Sequence, residues 1–266
     1  MKKLLIALFV IIAAAELFII IKPDFFKKNI PAQTKKEEAK IQTPAEEKRI
    51  VDYIETDNET NKKLKFYYYI PKELVNSTKP YPLIIWVPGL DGDGQESIPP
   101  EFYELADRSG YAILSPSFRF NQDDHNKMHS YQFPAVWSGK ALINMIYKAR
   151  ENGLNPSKLY MAGFSAGAQF VSRFSLLKPN IVKACAILSS GGDVVPNENV
   201  KNVKYFYGIG TKDETFRINN AENFTKTAQK LGMNVEYKKY DFDHRTTEQE
   251  MQDVAAFFEN VKNDNL

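Results

Sequence analysis

One cysteine and three histidines in 266 residues exclude several chemistries at the outset. A lone Cys185 cannot form an intramolecular disulfide, and so few thiols and imidazoles give no Cys/His zinc cluster at metal-ligand spacing. Net charge is also nearly lacking. The 35 Lys and Arg against 33 Asp and Glu leave +2, with the lysines scattered. No basic stripe is available for nucleic acid, so neither a metal nor a nucleic-acid partner is expected. Neither a Gly-Lys-Ser/Thr ending nor a G-x-G-x-x-G pattern occurs, which argues against a nucleotide phosphate loop.

Long apolar runs are lacking too, with one exception at the start. Leu4 to Ile21 is apolar apart from Glu16. Eighteen helical residues rise about 27 Å, just short of a hydrocarbon core of about 30 Å. Two readings stand. Leu4 to Ile12 fits a signal-peptide core, with Ala13-Ala14-Ala15 as a cleavage site. An uncleaved signal anchor explains Leu17 to Ile21 better, since cleavage would leave those apolar residues at a new N-terminus. Lysines flank both ends, so charge orients the segment only weakly. Residues 23–48, with Lys35-Lys36-Glu37-Glu38 and Pro31 and Pro44, show no apolar face at either period and read as a charged, flexible tether. The expected organisation is a signal anchor or signal peptide over 1–22, the tether over 23–48 and one globular domain over 49–266. That domain would stand outside the cytoplasm, membrane-anchored, or secreted or periplasmic if the leader is cleaved.

What is present in quantity is apolar and aromatic side chain, 43% and 13% of the sequence, enough for a sizeable core. Arg49 to Thr56 and Lys62 to Ile70 predict two strands around turn residues, hence an antiparallel hairpin. Leu83 to Val87 is a continuous apolar run, as in a parallel strand buried on both faces. The pattern then switches repeatedly. Strands are predicted at 111–114, 158–162, 182–188, 203–207 and 235–240. Helices are predicted at 102–109, 135–151, 166–177, 218–231 and 248–261, the fourth ended by Gly232. The fold class is therefore α/β, a mostly parallel sheet covered by helices on both faces. Cys185, in the apolar run Ala184 to Leu188, reads as core rather than nucleophile.

The predicted strand at Lys158 to Ala162 runs into Gly163-Phe164-Ser165-Ala166-Gly167, and a helical pattern follows at once. A serine between strand and helix in G-x-S-x-G sits on a strained turn that lifts its hydroxyl over the sheet edge. Side chains at Gly163 and Gly167 would collide with neighbouring backbone. The helix that follows aims free N–H groups at the point where an oxyanion would form.

A hydroxyl needs a base, and the base an orienting group. Of the histidines, only His244 follows a strand in the last third, in a loop before the final helix; His125 and His129 lie in a polar loop ahead of the serine. Asp213, after the strand Val203 to Tyr207 and Gly208-Ile209-Gly210, is the expected carboxylate, with Asp193 the alternative and Glu214, Asp241 and Asp243 behind it. The oxyanion donors would be the N–H of Ala166 and that of Leu90 in the loop Pro88-Gly89-Leu90-Asp91-Gly92-Asp93-Gly94.

From about Arg49 to Val261 the chain resembles α/β-hydrolases. It is most similar to the compact, lidless branch of polyhydroxybutyrate-depolymerase-like and feruloyl- or acetyl-esterase-like proteins and the secreted peptidases related to them. The serine turn, the glycine loop after Tyr81 to Val87 and the chain order Ser165, Asp213, His244 carry the resemblance. It implies an eight-stranded sheet and serine hydrolase chemistry on esters or amides, without metal or organic cofactor. Pro88-Gly89 departs from the His-Gly that the branch commonly carries. The 15 positions from Leu188 to Val203 leave no room for a large cap. Substrate contacts would then come from the loop Ser115 to Tyr131, with Arg119, His125 and His129 as binding candidates. The expected substrate is a small-molecule or polymer ester. A peptidase with the same three residues and an inactive binding module are the alternatives.

Overall fold

The computed structural model describes residues 49–54, 63–90, 94, 97–118 and 130–264. The expected leader and tether, and Arg119, His125 and His129, lie outside the described residues. Among the described residues no helix is long and apolar enough to cross a membrane.

Eight strands form one sheet: β1 (Arg49–Ile54), β2 (Lys63–Tyr69), β3 (Tyr81–Val87), β4 (Ala112–Ser117), β5 (Pro156–Phe164), β6 (Val182–Leu188), β7 (Lys204–Gly210) and β8 (Val235–Tyr240). Their order is β1-β2-β4-β3-β5-β6-β7-β8. The first two pairings, β1 with β2 and β2 with β4, are antiparallel, and all the others are parallel. The hairpin arises where the turn residues predicted it. The five parallel strands from β3 to β7 are apolar on both faces because helices cover both, and Leu83, Ile84, Ile85, Met161 and Ala186 are fully buried.

Five α-helices are described: α1 (Pro100–Ser109), α2 (Ser138–Glu151), α3 (Ala166–Leu177), α4 (Thr215–Lys230) and α5 (Glu248–Asn263). Pro100 opens α1 where the missing N–H costs nothing, and Gly110, at φ 65°, closes it. An apolar cluster joins α1 and α5 to one face of the sheet through Phe102, Leu105, Phe257 and Phe258.

Most element ends shift by one to three residues, the fourth helix starting at Thr215 instead of 218 and the second at Ser138 instead of 135, and two departures have a clear cause. Gly208, Ile209 and Gly210, expected in a loop, extend β7. The glycines serve close approach instead: a Cβ at Gly208 would fall on the Glu250 carboxyl, and one at Gly210 on the Phe242 carbonyl. The other is β4, which continues to Ser117 through Pro116. Beyond Leu114 the ladder to β3 has ended, and the strand pairs with β2 alone, so a residue without an N–H is tolerated.

Thr247 caps α5 by accepting the N–H of Glu250, half of a reciprocal capping box. The other half is not made. The Glu250 side chain turns inward, fully buried, and neither carboxyl oxygen has a hydrogen-bond partner. Burial, then the charges of Asp253 and Asp213, push its pKa up to about 8. The sign follows from linkage. Above the ordinary carboxylate range the unfolded chain has lost this proton while the folded chain keeps it. The contribution of Glu250 to stability is therefore full below about pH 4.5, falls as pH rises towards 8, and levels off above. At about 1.4 kcal/mol per tenfold, the loss is on the order of a few kcal/mol. Glu250→Gln mimics the protonated form, so its Tm should match wild type near pH 4.5 and exceed it by several degrees at pH 8.5. Parallel melting curves for the two proteins across that range would show the prediction wrong.

Candidate active site

The site begins with a backbone that most residues avoid. β5 ends at Phe164 and α3 begins at Ala166, leaving Ser165 as a one-residue corner at φ 54°, ψ −111°. A non-glycine residue there is strained, and such strain persists only where its surroundings over-determine it. Here they do. The Ser165 N–H donates to Leu188 O at 2.9 Å and its carbonyl accepts from Gln169 N at 3.2 Å. A Cβ at Gly163 would stand 2.5 Å from the backbone of Gly167, and one at Gly167 would land on the Val87 carbonyl. The corner closes only because both positions lack a side chain.

Two further loops deliver the other groups. Thr211 N donates to Tyr240 O at 2.7 Å, and Lys212 N to Phe242 O at 2.9 Å, stitching the loop after β7 to the loop after β8. Asp213 and His244 thereby meet: His244 Nδ1 lies 3.0 Å from Asp213 Oδ2, and His244 Nε2 lies 2.9 Å from Ser165 Oγ. The Asp213 side chain is wholly buried, whereas that of His244 is about one-third exposed. The imidazole also leans on Phe164, ring centroids 4.8 Å apart. With a carboxylate facing Nδ1, the proton belongs on that nitrogen, and Nε2 is left to accept from the serine.

The alternative acids lie elsewhere. Asp193 is exposed beyond Gly192, Glu214 accepts from Arg217, Asp241 pairs with Lys212 and Asp243 with Arg245. Ala166 opens α3, where first-turn N–H groups have no partner within the helix. Gly89 packs against the corner, since a Cβ there would be 3.8 Å from Ser165 Cβ, and Leu90 is the next residue. The carbonyl of Pro88 accepts from Tyr131 Oη at 3.2 Å, which fixes the start of the loop that departs from His-Gly. Among the described residues no group of three or more His, Cys, Asp and Glu could hold a metal ion. Cys185 is buried in β6, and burial raises its thiol pKa far above the ordinary range.

Two residues near the site escaped the sequence reading. Arg217, in the first turn of α4, lies four residues past Asp213, which precedes the helix and its N-cap Glu214. Glu250 sits in Thr247-x-x-Glu250, a pattern that points to a cap rather than to a buried carboxyl.

The fold is that of solved serine hydrolases. A ferulic acid esterase superposes with a TM-score of 0.60 at 15% identity, covering 82% of this chain and 97% of that one. FphF, a fluorophosphonate-binding serine hydrolase of Staphylococcus aureus, gives 0.58 at 13% identity, over 80% of this chain and 98% of that one. Est1E from Butyrivibrio proteoclasticus gives 0.56 at 18% identity, over 80% and 99%. Comparison with curated proteins gives no match. Residues 121–262 match the phospholipase/carboxylesterase family. The chain belongs to that family, within the α/β-hydrolase superfamily, and is a carboxylesterase-like serine hydrolase.

Proposed function

We propose that the chain cleaves carboxylic esters through an acyl-enzyme, with Ser165 as nucleophile, His244 as general base and acid, and Asp213 as its orienting carboxylate. The observation that carries this reading is the unbroken series from Ser165 Oγ through His244 to Asp213, at 2.9 and 3.0 Å, on a strained corner. Ser165 Oγ attacks the ester carbonyl while His244 Nε2 takes its proton. The oxyanion is received by the N–H groups of Ala166 and Leu90, and the buried negative charge of Asp213 stabilises the imidazolium. His244 then hands the proton to the departing alcohol. Water, activated by the same imidazole, releases the acid and frees the serine. The substrate is a small-molecule or polymer ester; the short connection after β6 keeps the site open to either.

Fluorophosphonate labelling tests the reading directly. The wild-type chain should take up one phosphonyl group, located on Ser165 by peptide mass, and p-nitrophenyl esters should be hydrolysed in preference to peptide anilides. Labelling at another residue, or none while esters still turn over, would remove Ser165 from its role.

A further inference from the structure

Arg217 joins two loops of the site and has no step of its own in ester hydrolysis. It stands in the first turn of α4, its side chain only 16% exposed. Nε lies 3.5 Å from Asp213 Oδ1 and donates to Glu214 Oε2 at 3.0 Å. Nη1 donates to the carbonyl of Ser189 at 3.4 Å. Ser189 is itself strained, at φ 50°, and its N–H donates to Gly208 O on β7 at 3.0 Å. The residue before it, Leu188, holds the N–H of Ser165. One guanidinium thus spans the loop that seats the nucleophile and the loop that carries the carboxylate.

Electrostatics makes that location meaningful. The Asp213 side chain has no exposed surface, and a buried carboxylate without compensation is costly. The glutamate Glu250 stands near enough for Asp213 to act on it. Asp213 Oδ1 accepts from Glu214 N at 2.7 Å, while Oδ2 faces His244 Nδ1 at 3.0 Å. The Arg217 cation, ion-paired with Oδ1 at 3.5 Å, adds a second, charged restraint.

We propose that Arg217 is a positioning residue for the triad acid, holding Asp213 Oδ1 so that Oδ2 faces His244. The proposal rests on the reading of Asp213 as that acid. Arg217 touches neither substrate nor the reacting atoms, and acts through Asp213 alone.

The test is a double-mutant cycle on the full chain, read as kcat and KM for p-nitrophenyl acetate, with melting curves to establish folding. Displacing a catalytic group by a fraction of an ångström to 1 Å costs up to about 100-fold. Arg217→Gln should therefore lower kcat about 10- to 100-fold with KM within about twofold. In an Asp213→Asn background the same change should cost less than about twofold, because the carboxylate it holds is gone. Arg217→Lys, which keeps the charge, should recover at least about threefold over Arg217→Gln. If Arg217→Gln does not fold, Gly191→Ala serves instead. A Cβ at Gly191 would stand 2.5 Å from Arg217 Nη1 and push the guanidinium aside, giving a smaller loss that again vanishes with Asp213→Asn. Equal losses with and without the carboxylate, or no loss at all, overturn the positioning role. A near-normal Asp213→Asn would instead overturn the acid assignment, so the two failures are distinct.

Discussion

Ser165→Ala is expected to leave a folded protein that hydrolyses esters about four orders of magnitude more slowly than wild type, or worse. The size of the effect follows from what the hydroxyl does. In the proposed mechanism no acyl-enzyme forms without it, and His244 Nε2 has no serine proton to take. What remains is substrate binding beside the oxyanion donors, and such remnants keep only a small part of the rate. The fold should survive because the corner is fixed by its neighbours. Gly163 packs on Gly167, Gly167 on Val87 and Pro88, and the residue 165 amide on Leu188 O, and none of these contacts involves the hydroxyl. Alanine at φ 54° bears much the same backbone strain as serine. A Tm within a few degrees of wild type is the expected companion measurement. Turnover within tenfold of wild type, in protein freed of contaminating esterase by affinity and size separation, would remove Ser165 from the mechanism.

The serine corner was legible in the sequence because its cause is steric and local. Two glycines at fixed spacing around a serine, between a strand and a helix, suit a sharp corner with backbone packed on either side, and the structure puts backbone against both Cα atoms. Strand β6 and helix α3 were read to the residue, since an apolar run and a sharp helical start leave little freedom at their ends. The misread stretches depend on partners far away in the chain. Gly208 and Gly210 look like loop residues until Glu250 and Phe242, over thirty positions on, are seen pressing on them. Pro116 looks like the end of a strand until the ladder between β3 and β4 is seen to end at Leu114, leaving β2 as the partner. Arg217 and Glu250 are of the same kind. Nothing in their local sequence says that a loop after β6 or the back of β7 will lie against them.

The carboxylate assignment gives the second large effect. Asp213→Asn should lower kcat by about 10³- to 10⁴-fold, whereas Asp193→Asn should cost less than about tenfold. Both aspartates follow strands, and sequence order alone does not separate them. Spatial arrangement does. The loop after β7 is laced to the loop after β8 by Thr211 and Lys212, which sets the buried side chain of Asp213 3.0 Å from His244 Nδ1. Asp193 lies on the exposed chain leaving β6, one strand further from the histidine. Asparagine keeps the shape of Asp213 but can present an amide N–H to Nδ1. The imidazole then favours the tautomer with its proton on Nε2, the nitrogen that must accept from Ser165. The loss should accordingly appear in kcat, with KM little changed, because the ester contacts neither nitrogen before attack begins. Fluorophosphonate labelling should slow in parallel, since it draws on the same proton transfer. Both variants would be measured at one pH, with circular dichroism showing each folded. Were Asp193→Asn the crippled variant and Asp213→Asn near normal, the acid would have to be reassigned to Asp193, and the loop after β6 would have to swing toward His244 in the working enzyme.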